Sequence, residues 1–518
     1  MAVAVAAVSL LLAVLFSGAT PLLAASVNRA DREVENKLRS HIAVLASDDF
    51  DGREPGTQGE AKTLRYLGRQ WFDIGLISGT NDPGHEWFAP VTLVAREPAG
   101  SNAQFVRKGY RASFDQKDVL VLTSGKRAMV RNAPLLFVGK ATGLDFSRTE
   151  LAGRIAVMLD GDTPDSARQN ELLMRGASAV LTVLDGTRTL EQVAARRQRS
   201  GYALNDETVG GDLEAFIDRT TMDTLLKASS PKTSSANPTL VALEAMSASP
   251  DFTPITLDLS ATLEASSRET TIHTHNLIGK IPGRRPDLGA VLFVAHWDGF
   301  GECGVPPAED TICNGAIDNA SGVAVLTEVA RRLSQAPQMD RDMYFLATTS
   351  EELGLLGAHA FTENPPLPLG QIVAAFNIDS VAIAPKGTPF AIVGRGMTGL
   401  DAEIVKAAKA GRFKLRDDDA ANEYVKRQDG WALLQHDIPA VMVTTAYGDI
   451  ERMRAFFDGD YHRPSDDLSH PLELGGAVDD VNMLSALGRW FGDVRRVPAG
   501  KLVVPSAAAT TKAQPPRK

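Results

Sequence analysis

From residue 276 to 494 the chain alternates two patterns. Some short runs are apolar at nearly every position: AVLFVA at 290–295, MYFLAT at 343–348, IVAAFNI at 372–378 and PAVMVTT at 439–445. Between them, apolar residues recur every three or four positions. In SGVAVLTEVARRLSQ (321–335), Val325, Leu326, Val329, Ala330 and Leu333 share one face of a helix. A strand that is apolar throughout is covered on both faces. Such strands alternating with amphipathic helices predict an α/β fold, with a mixed, largely parallel sheet and helices on both faces.

Other regions read differently. Residues 31–77 predict two helices split by a glycine-rich turn, GREPGTQG. In the second, Ala61, Leu64, Leu67 and Phe72 fall close to helical spacing and Gly75 ends it. Within 105–255 the runs VLVLTS, PLLFVG, RIAVML and AVLTVL alternate with turn residues. They predict a smaller, β-rich α+β domain inserted into the first, so that 27–104 and 256–495 form one discontinuous domain. Residues 228–238 read as a polar linker, 478–494 as a final helix, and 496–518 as a disordered tail rich in Pro, Ala and Lys. The apolar run 3–16, broken by Ser17, Gly18 and Pro21, predicts a signal peptide over 1–25. That implies export to a periplasm or the extracellular space; an uncleaved membrane anchor is the alternative.

Composition narrows the function. In 518 residues, 54 Lys and Arg stand against 64 Asp and Glu, a net charge of −10. The basic footprint of a nucleic-acid binder is missing, so no nucleic-acid partner is expected, and no stable membrane partner either. Two cysteines exclude a disulfide scaffold and a Cys-rich zinc module. Cys303 and Cys313 are too far apart in sequence for CxxC chemistry; they would close one loop in an oxidising compartment, or remain two free thiols. GxSxG, HExxH and the Walker pattern are absent from the sequence.

The ends of the apolar runs carry the chemistry. AVLFVA is followed by His296-Trp297-Asp298, MYFLATTS by Glu351-Glu352, and IVAAFNI by Asp379. Ligands of parallel sheets bind beyond the carboxyl ends of the strands, so these groups would converge on one rim. GAIDNASG contributes Asp318, and the loop after 439–445 contributes Tyr461 and His462. Each also has an ordinary reading: a Glu-Glu pair starts solvated helices, and an Asp caps them. Together, imidazoles and carboxylates without thiolate suit catalytic zinc, or manganese or cobalt. Five ligands exceed what one open zinc needs and suit two ions sharing a carboxylate.

The segments AHWDGFG, GAIDNASG, TTSEELGLLGAHAF, NIDS and DYHRPSDD resemble the co-catalytic two-zinc aminopeptidases, a family that includes bacterial leucyl aminopeptidases and relatives of glutamate carboxypeptidase. LASDDFDGREPGTQGE resembles the segment that opens many members. The resemblance implies two Zn²⁺ per chain: His296 and Asp379 on one ion, Glu352 and His462 on the other, and Asp318 bridging. It implies Glu351 as general base towards a water held by both ions, Asp298 as the partner that orients His296, and Tyr461 as an oxyanion contact. The family often has Asp where this chain has Ile317. The insert resembles a protease-associated domain. The expected activity is metal-dependent exopeptidase action on peptides with a free N-terminus. A carboxypeptidase or dipeptidase, using Arg427 or Arg463 for a substrate carboxylate, is the alternative, and a non-catalytic binding protein is a further one. A glutaminyl cyclase would use the same fold with one zinc, but here all five ligand positions are filled. The oligomeric state is left open.

Overall fold

The computed structural model describes residues 19–498, except 108, 142–146, 162–164, 199–200, 205–211, 230–237 and 305–308. Most of the expected signal peptide, the core of the 228–238 linker and nearly all of the expected 496–518 tail therefore lie outside the described residues. Among the described residues no helix is long and apolar enough to cross a membrane. The chain divides into two compact units. One comprises the described residues up to Val91 together with those from His273 onward; the other is Thr92–Ile272. The expected boundaries at 104 and 255 differ from these. The reason is that two long strands, Phe88–Arg107 and Ile255–Ile281, carry the chain from one unit into the other.

In the first unit we label β1 (Ile255–Ile281, of which 277–281 pair here), β2 (Ala290–His296), β3 (Asp342–Thr348), β4 (Ile372–Asn377), β5 (Ala391–Val393) and β6 (Ala440–Thr444). Their order across the sheet is β5-β6-β4-β2-β3-β1. The four central strands are parallel, and β5 and β1 are antiparallel additions at the margins. Alternation explains why the strands are apolar throughout. Val291, Phe293 and Ala295 face one core, with α1 (Ala19–Leu45), α2 (Gln58–Asp73), α3 (Gly322–Ser334) and α4 (Leu474–Gly492); Leu292 and Val294 face a second core on the opposite side. Phe293 lies between Phe345, stacked at 5.5 Å, and Phe376 at 5.6 Å. α3 is buried nearly all round, more than its predicted single face requires, because α1, α2, α4 and the sheet surround it.

The buried face of α2 is Thr63, Leu64, Leu67 and Trp71, while Phe72 is 67% exposed. The expected use of Phe72 is corrected by helix geometry: four residues beyond Leu67 lies the same face, five lies off it. Gly75 ends the helix region at φ +89°, as its lack of a Cβ permits.

In the second unit, Arg127–Phe137, Ile155–Leu159, Ala179–Val183 and Leu213–Ile217 run parallel, and Val119–Thr123 joins antiparallel. Helices Asp165–Met174 and Leu190–Gln198 lie between the parallel strands in sequence.

Candidate metal centre

The parallel register sets the site. His296, the last residue of β2, is paired with Thr348 at the end of β3, and β4 lies on the other side of β2. The residues just past each strand therefore emerge on the same rim. His296 Nε2 lies 3.3 Å from Asp318 Oδ1, 3.6 Å from Asp379 Oδ1 and 3.9 Å from Glu351 Oε2. His462 Nε2 lies 3.3 Å from Asp318 Oδ2 and 3.0 Å from Glu352 Oε2. Asp318 thus turns one carboxylate oxygen to each histidine. Three overlapping groups could hold a metal ion: His296-Asp318-Asp379, Asp318-Glu352-His462 and His296-Glu351-Glu352.

Backbone conformation aims these side chains. Ser350, Ser380 and His462 all have φ between +51° and +58°, left-handed for residues with a Cβ, and they fall beside Glu351, beside Asp379 and on the second histidine itself. Such conformations cost of order 1–3 kcal/mol each and persist where the surroundings over-determine them. Asp318 departs from helical geometry (φ −106°, ψ 97°) just before α3, and its bond to Asn319 is cis.

Further buried polar groups brace the rim. The Asp298 carboxylate accepts hydrogen bonds from the backbone N–H groups of Glu351 (3.1 Å) and Glu352 (3.4 Å), and lies 3.6 Å from His296 Nδ1. The Asp466 carboxylate accepts from the N–H groups of Ile317 (2.8 Å) and Asp318 (2.9 Å). Asp429 accepts from the Thr348 hydroxyl at 2.6 Å. Arg53, fully buried, donates to four carbonyls: Trp297 (2.9 Å), Leu45 (2.9 Å), Asn314 (2.6 Å) and Gly315 (3.0 Å). It ties together the loops that precede Asp298 and Asp318. Gly52 permits that approach, because a Cβ there would meet the carbonyl oxygens of Cys313 and Gly301 at 2.7 Å. Cys303 and Cys313 form a disulfide across the same loops, Cα to Cα 5.7 Å. Of these braces, sequence reasoning reached Asp298; Asp466, Asp429 and Arg53 were not singled out. The only available signal was position, with Arg53 in the GREPGTQG turn and Asp466 in DYHRPSDD.

Metal fit rests on one atom and its company. His296 Nε2 is buried and has no hydrogen-bond partner among the described residues, yet three carboxylates face it. A buried imidazole nitrogen without a hydrogen-bond partner, facing three converging carboxylates, is the donor set that a divalent cation takes. Charge balance in the metal-free protein agrees. Burial pushes Glu351 well above the carboxylate range, against the pull of His296, with Glu352 and Asp379 adding to the rise. Burial and then Asp318 push Glu352 up to about 7. Burial opposes ionisation of Asp318, but the two imidazoles prevail and hold it low. Burial would lower His462, but Asp318 and Glu352 outweigh it and raise it to about 9.

Around this cluster, the Tyr461 ring stacks on His462 at 3.5 Å and Phe300 meets His462 edge-on at 4.4 Å. Trp297 points elsewhere: it is fully buried and donates to the His275 carbonyl at 3.0 Å. Asn319, which opens the glycosylation-type triplet Asn319-Ala320-Ser321, is also fully buried with its amide bonded to the Ile378 carbonyl, so it is closed to glycosylation in the folded chain.

Residues 276–483 match peptidase family M28, so the resemblance read from the motifs holds over that stretch. The chain is similar to aminopeptidase YwaD of Bacillus subtilis, 35% identical over 123 residues that make up 23% of this chain and 24% of that one. It is similar to the vacuolar membrane protease of Lachancea thermotolerans, 30% identical over 133 residues, 26% of this chain and 12% of that one. The aligned regions thus span a quarter or less of these relatives' length. Among solved structures, an aminopeptidase from Aneurinibacillus sp. strain AM-1 shares the fold. Its TM-score is 0.52 at 17% identity, covering 91% of this chain and 96% of that one.

Proposed function

We propose that this protein is a metal-dependent aminopeptidase that binds two zinc ions. His296 and Asp379 would hold one ion, Glu352 and His462 the other, and Asp318 would bridge. The carrying observation is that each Asp318 oxygen lies 3.3 Å from the Nε2 of a different histidine. Two zinc ions there would supply Lewis acidity, polarising a peptide carbonyl and making water a nucleophile near neutral pH.

The chain's own groups do the rest. The Glu351 carboxylate takes the proton from the attacking water and returns it to the leaving amine, a role worth about 10²–10⁴ in rate. Asp298 holds the start of the Glu351-Glu352 loop through its two backbone N–H contacts and steadies His296 through Nδ1. The Tyr461 hydroxyl, its ring stacked on His462, donates to the developing oxyanion. The substrate's α-ammonium pairs with carboxylate of the cluster, which selects a free N-terminus. We read 105–255 as a protease-associated insert, and 1–25 as an export signal.

The test is a panel of aminoacyl p-nitroanilides and their N-acetylated forms, with chelation and metal add-back. Cleavage of the free-amine forms should disappear on chelation and return with zinc, at two ions per chain by elemental analysis. Equal cleavage of the acetylated forms would sink the aminopeptidase reading, and activity indifferent to chelation would sink the metal.

A further inference from the structure

The centre is ringed by acids, yet a cation stands one aromatic ring away from it. The Arg427 guanidinium lies over the Phe457 ring at 4.5 Å and over the Tyr461 ring at 5.2 Å, and Tyr461 in turn stacks on His462 at 3.5 Å. Arg427 is exposed, and no carboxylate lies within ion-pair distance of it among the described residues. Other arginines near this wall are paired: Arg454 with Glu423 at 2.9 Å, and Arg395 with Asp417 at 3.3 Å. Phe457 is itself held between Tyr424, stacked at 5.3 Å, and Tyr461, edge-on at 4.9 Å.

Stacking on two rings fixes the plane of a guanidinium and removes much of the entropy cost of using it, while leaving its N–H edge free. An ordered, solvent-facing fork without a counterion is built to receive a planar anion, and carboxylate matches it in two parallel hydrogen bonds. Its neighbours on the chain, Lys426 over Trp431 at 5.3 Å and the exposed Arg463 beyond His462, add positive potential at the same rim.

We propose that Arg427 is a specificity-determining residue that binds a carboxylate of the peptide substrate next to the bond being cleaved. Resting on the peptidase reading, this selects either short peptides, whose C-terminal carboxylate falls within reach, or peptides with an acidic side chain beside the scissile bond.

The experiment uses the zinc-loaded full chain and two matched substrate pairs: Leu-Gly against Leu-Gly-amide, and Leu-Glu-amide against Leu-Gln-amide. In the wild type, kcat/KM should favour the carboxylate member of at least one pair by about tenfold, the scale of one charge-assisted contact. The first pair reads the terminal carboxylate and the second the side chain. The preference should vanish in Arg427→Gln, survive in part in Arg427→Lys, and invert towards cationic leaving residues in Arg427→Glu. It should also fade in the wild type as ionic strength rises, a readout that needs no variant to fold. Ratios near one in both pairs, or a preference untouched by Arg427→Gln, overturn the inference while leaving the peptidase intact. Failure to cleave any of the four overturns both.

Discussion

Glu351 is surrounded by its own kind. Buried, and facing Glu352, Asp379 and Asp429 as well as His296, its carboxyl gains a proton readily in the metal-free protein. Divalent ions bound beside it would reverse that balance and leave it ionised, as the proposed role of base requires. Replacing it with Gln keeps the volume and removes the proton acceptor. Glu351→Gln should therefore retain zinc while kcat falls about 10²–10⁴-fold. Steady-state kinetics with parallel metal analysis checks this; a variant that keeps its turnover removes Glu351 from the role. At this scale the sequence is most informative where a polar residue ends an apolar run: His296, Glu351, Glu352 and Asp379 are each marked that way. Arg53 carries no such mark. Its acceptors are backbone carbonyls 244 to 262 residues away along the chain, plus Leu45 nearby, and a carbonyl leaves no trace in the identity of its residue. Asp466, whose donors are backbone N–H groups 148 and 149 residues away, is hidden for the same reason.

The elements meet through buried polar pegs as well as apolar faces. Asp480, fully buried on α4, accepts from the Thr445 N–H at 2.8 Å and the Thr444 hydroxyl at 2.9 Å, which locks α4 to the end of β6. Burial pushes its carboxyl up to about 8. In the unfolded chain an Asp titrates near 3.9, so between about 4 and 8 the folded state binds the proton that the unfolded state has lost. Asp480 therefore contributes most below pH 4, and that contribution drains away as pH rises to about 8, by up to about 1.4 kcal/mol per pH unit. Asp480→Asn stays neutral: its amide oxygen accepts from the Thr445 N–H and its NH2 donates to the Thr444 hydroxyl oxygen. Denaturant melts at pH 5 and pH 8 should show the variant gaining relative to the wild type by a few kcal/mol at the higher pH; an unchanged difference would place the shift elsewhere. Strands and helices of this kind are legible because both sides of the sheet are covered, which forces continuous apolar runs. The misplaced face of α2 shows the limit: Trp71 and Phe72 are adjacent and both apolar, and only the 3.6-residue turn decides which is buried.

For the whole molecule, the stretch that matches a known family begins at residue 276, but the brace behind the centre begins at Arg53. Between them the chain leaves the first unit after Val91 and returns at His273. Residues 276–483 alone would contain all five ligand candidates and Glu351, but none of α1, α2 or the four-carbonyl clamp. Expressed by itself, that piece should take up zinc far less tightly than the full chain and show no peptidase activity. Full-length Arg53→Met should shift in the same direction, with weaker zinc retention in a competition titration. Native affinity in the short piece would show the clamp to be dispensable. The four carbonyls gathered by one guanidinium thus make the recognisable signature smaller than the working machine: anyone grafting this chemistry onto another scaffold must carry over a distant scrap of the N-terminal sequence along with it.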